Sequence, residues 1–179
     1  MPAPQLNATD LRNVVRQTPL VSLDLVIRDT SNKILLGLRT NEPAKGSYFV
    51  PGGRILKDER LNDAFARILE AETSFLIPIA EAHFIGVYEH FYETNFFNEP
   101  GFGTHYVVLA YGLKIGSTSQ LRTDAQHSEY VWWEEPKILA SNKVHENTKK
   151  LIFDKATVCR VAPEFRRPIE YDTAVPLHN

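Results

Sequence analysis

Apolar positions recur along this chain with two different periods. Between residues 61 and 76, Leu61, Ala64, Phe65, Ile68, Leu69, Phe75 and Leu76 fall at three- and four-residue spacings. That pattern predicts one amphipathic helix with a single apolar stripe. Elsewhere the apolar residues come in short runs rich in β-branched and aromatic side chains. These predict strands at Val21–Arg28, Lys33–Thr40, His83–Tyr92, Thr104–Leu113 and Tyr130–Glu134. Asp29-Thr-Ser-Asn32 reads as a turn, so the first two strands should form a hairpin carrying Asp24 and Arg39. A short helix begins near Asn7, capped by Asn7 or Thr9, with Leu11, Val14 and Val15 inward and Pro19 as its stop. A later helix is predicted over 140–155, with Val144, Leu151 and Ile152 inward. Strand pairs, one long helix and a C-terminal helix imply an α/β fold with a mixed sheet between helices.

The segments between these elements divide into short connections and two long loops. Asn41–Gly46 is a loop, and Tyr48–Pro51 leads into a Gly52-Gly53 turn. Glu93–Gly103 contains Pro100, two glycines and three phenylalanines. A loop of that length and composition serves as a lid or binding loop, or packs its rings on the body or on a second subunit. Ser117–Glu129 is polar and holds Gln126-His127. The last twenty residues carry three prolines and no clear period, which predicts an extended tail. The chain therefore reads as one domain over residues 1–158, followed by a tail over 159–179.

Composition narrows the function classes. The 179 residues suffice for a real core, 43% are hydrophobic and 23% charged, and the net charge is −2. That balance argues against a protein built for non-specific nucleic-acid binding. Cys159 is the lone cysteine, so no internal disulfide forms, which fits a reducing compartment. The N-terminal residues lack a basic start followed by an apolar run, and no stretch approaches membrane-spanning length. A soluble cytoplasmic protein is the expectation.

Chemistry enters at the helix. Stepping about 100° per residue puts Glu72 near the middle of the apolar stripe and Glu70 on the opposite, solvated side. A carboxylate facing a core is costly unless a buried base or a metal meets it, and both readings stand. The preceding glycines favour the metal, because they let a backbone carbonyl approach a cation or phosphate.

The stretch from Gly53 to Phe75 resembles the Nudix box, G-x5-E-x7-R-E-U-x-E-E-x-G-U, where U is a bulky aliphatic residue. Gly53, Glu59, Arg67, Leu69, Glu72 and Phe75 match. Ile68 and Ala71 stand where two glutamates belong, and Ser74 replaces the glycine. Members of that family use several carboxylates to hold two or three divalent ions and activate water against phosphorus. Here the helix of the box keeps one, Glu72.

Further stretches are similar to one branch of the family, GDP-mannose mannosyl hydrolase. They are TPLVSLD at 18–24, LGLRTNEPAKGSYFVPGGR at 36–54, HFYETNF at 90–96, THYVVL at 104–109 and DAQHSEYVWW at 124–133. Tyr48, where that branch tends to have Trp, and the longer 93–103 loop are departures. The resemblance implies a Nudix-type α/β/α sandwich with a mixed β-sheet, and hydrolysis of GDP-mannose, or GDP-glucose, to GDP and free sugar. Water would attack the anomeric carbon with inversion. Mg²⁺, or Mn²⁺, would bind as one ion per site through the Gly52 carbonyl, Glu72 and Gln126. Arg39 and Arg54 would grip the diphosphate, Tyr106 would donate to a phosphate oxygen, and Asp24 and His90 would orient the sugar hydroxyls. His127 would be the general base, with an ordinary pKa near 6.5 that suits the task. A homodimer is the implied assembly.

Each of these residues also has an ordinary reading. Asp24 could be the polar side of a half-buried strand, Tyr106 a core residue, Gln126 a surface amide, and Arg54 or His127 a solvated loop side chain. His105 competes with His127 but should point to the other face of its strand. His83, His145 and His178 carry no functional argument. Glu59 and Arg67 should hold the box loop against the helix. Two other functions remain open: a Nudix pyrophosphatase releasing GMP and sugar 1-phosphate, and a catalytically silent nucleotide-sugar-binding regulator.

Overall fold

The computed structural model describes residues 6–116 and 127–153. Helix α1 (Ala8–Gln17) starts where the Asn7 side chain accepts the Asp10 N–H at 3.0 Å, so Asn7 is the cap. It ends before Pro19, and the chain enters β1 (Leu20–Arg28). The remaining strands are β2 (Ile34–Arg39), β3 (Tyr48–Phe49), β4 (Gly52–Arg54), β5 (His83–Tyr92), β6 (Thr104–Lys114) and β7 (His127–Trp133). Helices α2 (Leu61–Thr73), α3 (Glu135–Ala140) and α4 (Glu146–Phe153) complete the set, with a short 3-10 turn at Ile79–Glu81.

All seven strands join one mixed sheet with the main order β3-β2-β1-β6-β5; β4 pairs with β1 and β7 with β2. β6 runs parallel to β1 over the whole of β1, and the other strand pairings are antiparallel. The sheet is buried on both faces. Leu23, Leu25, Ile27 and Leu35 pack with Ala64, Phe65, Ile68 and Leu69 of α2. Val26, Leu36, Tyr88, Val108 and Ala110 pack with Ile138, Val144 and Leu151 on the other side. Two covered faces explain why the central strands read as nearly continuous apolar runs. The architecture is the expected α/β/α sandwich.

Five expectations need correction. β1 and β2 meet only at Arg28 and Ile34, beside their turn, and then diverge. The same edge of β1 is taken at Ser22–Asp24 by β4, while β2 turns to β3 and β7. Gly52-Gly53 is therefore a strand rather than a turn. The helical stripe stops early: Ser74 adopts a left-handed φ of 63° after α2, and Leu76 is left 74% exposed. Glu70 is exposed, as its phase predicts.

Within the span predicted as a helix over 140–155, α4 begins only at Glu146, because the residues before it complete the edge of β3, and the separate helix α3 precedes the span. Tyr48 N–H donates to the Lys143 carbonyl at 2.8 Å, and His145 N–H donates to the Tyr48 carbonyl at 3.2 Å. The last strand begins at His127, three residues ahead of the predicted start. The tail and Gln126 lie outside the described residues.

Candidate active site

Where β1, β2, β4, β5 and β6 converge, they line a cleft of about 350 Å³. Asp24, Arg39, Gly52, Arg54, His90 and Tyr106 all contribute to its wall. These are residues from five strands, brought together by the divergence of β1 from β2. Strand alternation explains the selection: His90 and Tyr92 share one face of β5, and Tyr106 faces the cleft while His105 does not. His105 stacks on Phe91 at 4.3 Å, outside the cleft, as its position on the strand predicts.

The β1–β4 register sets the closest approach. Asp24 sits opposite Gly52, and a Cβ on Gly52 would stand 2.7 Å from Asp24 Oδ1 and from the Leu23 carbonyl. Leu25 N–H donates to the Pro51 carbonyl and Ile55 N–H to the Val21 carbonyl. The intervening Gly52 carbonyl is therefore directed away from the β1 ladder and is available as a donor oxygen.

Electrostatics follow from burial. The Asp24 carboxyl is pushed up to about 7, mainly by burial; nearby Arg39 opposes the shift and Glu72 adds to it. His90 is pushed down to about 4 by burial, with His145 and Lys150 adding to the effect. It is thus neutral at pH 7, and its Nδ1 lies 4.0 Å from Asp24 Oδ2. Burial raises the Tyr106 hydroxyl, while the guanidinium groups of Arg39 and Arg54 both pull it back. Among the described residues, His90 Nε2 and Arg39 Nε are buried without a hydrogen-bond partner. Two orphaned polar atoms in one cleft wall suit a polar ligand.

The helix supplies the second part of the site. Glu72 on α2 is 2% exposed and accepts a hydrogen bond from the Tyr130 hydroxyl at 2.6 Å. It does not line the cleft, yet it is near enough to raise Asp24. The Gly52 carbonyl and the Glu72 carboxylate are hard oxygen donors and fit Mg²⁺ or Mn²⁺. No group of three or more His, Cys, Asp or Glu suited to a metal occurs among the described residues. His127 opens β7 opposite Arg39 in the β2–β7 register, which brings its backbone to this part of the sheet.

The box loop is fixed by a bidentate pair. Arg67 donates to both Glu59 oxygens at 2.6 and 2.8 Å, and Glu59 also accepts the Leu56 N–H at 2.9 Å. The Glu59 side chain is 2% exposed, and Arg67 holds its carboxyl below the usual range. Arg67 further donates to the Arg54 carbonyl at 2.9 Å, so this pair ties the box loop to the end of β4, where Arg54 stands.

Sequence reasoning missed several wall residues. Phe49 lies under the Arg39 guanidinium, 5.3 Å from ring centre, and stacks on His145 at 4.6 Å. Tyr92 lines the cleft two residues after His90, a spacing that could have marked it. Leu11, Val15 and Phe96 supply an apolar side from α1 and the long loop.

Comparison with known proteins decides the family. The NUDIX domain model matches residues 18–154. The chain belongs to the Nudix family of hydrolases. It is 40% identical over 124 residues to the low-salt glycan biosynthesis protein Agl8 of Haloferax volcanii, spanning 69% of this chain and 76% of that one. It is 40% identical over 70 residues to an ADP-ribose pyrophosphatase of Methanocaldococcus jannaschii, 39% of this chain and 40% of that one. The MutT protein of Methanosarcina mazei superposes with a TM-score of 0.60 at 19% identity, covering 75% of this Nudix chain and 91% of its own. The NUDIX domain of Shewanella oneidensis NrtR, crystallised with ADP ribose, gives 0.59 at 20% identity, covering 83% and 97%. The two structures bear on the fold alone.

Proposed function

We propose that this Nudix protein hydrolyses GDP-mannose, or GDP-glucose, to GDP and the free sugar by attack of water at the anomeric carbon. The observation that carries the reading is the cleft itself. It joins two arginines, a tyrosine hydroxyl, a half-buried acid and a neutral histidine, while the box helix offers one carboxylate for metal. Cleaving C–O at an anomeric centre leaves negative charge on the departing diphosphate and cationic character on the sugar. Arg39 and Arg54 are the fork-shaped cations suited to the diphosphate, and Tyr106, near enough to both for each to pull its hydroxyl pKa down, adds a donor.

Asp24 and His90 are held side by side for sugar hydroxyls. His127 is the proposed base: it takes a proton from water as oxygen bonds to carbon, and the electron pair of the broken bond leaves on GDP. A divalent ion held by Gly52, Glu72 and Gln126 would neutralise diphosphate charge. The name of the Haloferax relative, a glycan biosynthesis protein, supports a sugar nucleotide as substrate.

Homodimerisation belongs to the same reading. The outermost strand β5 exposes Phe84, Val87 and Phe91. No described helix is long and apolar enough to cross a membrane.

A His127→Ala variant tests the enzymatic reading against the regulator. It should lose most turnover of GDP-mannose while keeping GDP affinity. Unchanged turnover would remove His127 from the mechanism. The pyrophosphatase reading is kept in play by the Methanocaldococcus relative and is separated by its products, GMP and sugar 1-phosphate.

A further inference from the structure

The polar side of the cleft accounts for a sugar and two phosphates. Its other side is apolar, lined by Leu11 and Val15 of α1, Leu20, and Phe96 of the 93–103 loop. A hexose diphosphate has no use for such a wall. Phe96 is 58% exposed, an unusual state for a ring at the mouth of a polar cleft. Resting on the nucleotide-sugar reading above, we propose that Phe96 is the ring on which the substrate's nucleobase stacks.

The loop is built to hold that ring still. Asn95 is fully buried, and its side chain knots the loop's own backbone. Its Nδ2 donates to the Glu99 and Phe102 carbonyls at 2.8 and 2.9 Å, and its Oδ1 accepts the Phe97 and Glu99 N–H groups at 3.0 and 3.3 Å. The knot is tied to α1 by the Arg12–Glu99 ion pair at 2.6 Å. The same guanidinium lies over the Phe97 ring at 4.8 Å, and Phe97 meets Phe96 edge-on at 5.5 Å. Thr94 closes the near end by donating to Glu42 at 2.9 Å. Phe96 thus stands on a propped, pre-ordered loop, which lowers the entropy lost when a flat ligand settles on it. Stacking requires a π-face and no particular base, so Phe96 supplies affinity for nucleotides over bare sugar diphosphates rather than choice of base.

Direct calorimetric binding of GDP, ADP and inorganic pyrophosphate with Mg²⁺, to the whole chain and to Phe96→Ala, Phe96→Leu and Phe96→Tyr, tests this. Base–aromatic stacking predicts that Phe96→Ala and Phe96→Leu weaken GDP and ADP by at least about fivefold. Phe96→Tyr should restore both, and pyrophosphate binding should not change. Wild-type GDP affinity in Phe96→Ala and Phe96→Leu would overturn the proposal, as would an equal loss of pyrophosphate binding. Failure of the unaltered chain to bind GDP or ADP would overturn the nucleotide-sugar reading and this inference together.

Discussion

Asp24 and Gly52 face each other across the β1–β4 ladder so closely that one added carbon would collide with the carboxylate, 2.7 Å from Oδ1. The same contact places the Gly52 carbonyl beside the cleft and Asp24 within reach of Arg39 and His90. The glycine is there for close approach rather than for a turn. Gly52→Ala should therefore lower kcat/KM by roughly a hundredfold through misplacement of Asp24 and the carbonyl. Because Leu23's carbonyl stands equally near, stability should fall by about 1–3 kcal/mol. Steady-state kinetics beside a thermal melt measures both.

Asp24 gives a prediction about pH. Its folded pKa, about 7, lies above the ordinary carboxylate value, so the folded state prefers the protonated acid. That contribution is full below the unfolded pKa, near 4, and is lost as pH rises through about 7. Asp24→Asn keeps the shape and removes the cost of ionising. The ligand-free variant should melt above the wild type, by a margin that grows from pH 4 to 7 and then levels. A margin independent of pH would show that Asp24 is not held protonated.

Arg39 presents its guanidinium against the Phe49 ring, 5.3 Å from the centroid, with Nε buried and unpaired among the described residues. A lysine keeps the charge but loses the planar fork and the stacking. Arg39→Lys should raise the KM for GDP-mannose by about tenfold or more. Pyrophosphate inhibition should weaken in parallel.

Glu72 is the carboxylate that the helix of the box retains, already hydrogen-bonded to Tyr130. Glu72→Gln preserves an acceptor for that hydroxyl and removes the charge. Mn²⁺ binding followed by electron paramagnetic resonance should weaken by about tenfold or more, with the melting temperature nearly unchanged. Removal of the divalent ion by chelation should abolish turnover reversibly.

The elements that the sequence revealed were those with a strong local period. The α2 stripe places Phe65, Ile68 and Glu72 inward and Glu70 outward, because 3.6-residue phase needs no knowledge of the partner. Strand existence was legible for the same reason, and strand partners were not. β1 looked like half of a hairpin because Asp29-Thr-Ser-Asn32 is a real turn, but the β1 edge beyond it belongs to Gly52–Arg54. Leu76 was misplaced because Ser74, not glycine, takes the left-handed position that ends the helix. The helix expected from residue 140 begins only at Glu146 because Tyr48, almost a hundred residues earlier, recruits Lys143 and His145. Polar site residues such as Asp24, Arg54 and Tyr106 take their roles from a resemblance to a family, and each also has an ordinary reading in the sequence. Only convergence in three dimensions joins them. The sequence marks the 93–103 loop and its phenylalanines but not which ring lines the cleft, because the loop is shaped by Asn95, whose bonds to the loop's own backbone have no period to detect.

The central claim is attack at carbon. Incubating the protein with GDP-mannose and Mg²⁺ in ¹⁸O-labelled water, and weighing the products by mass spectrometry, tests it most directly. GDP and mannose, with the label on the sugar and none on phosphate, is the predicted result. GMP with mannose 1-phosphate, the label on a phosphate, would contradict it and assign this cleft to cleavage at phosphorus.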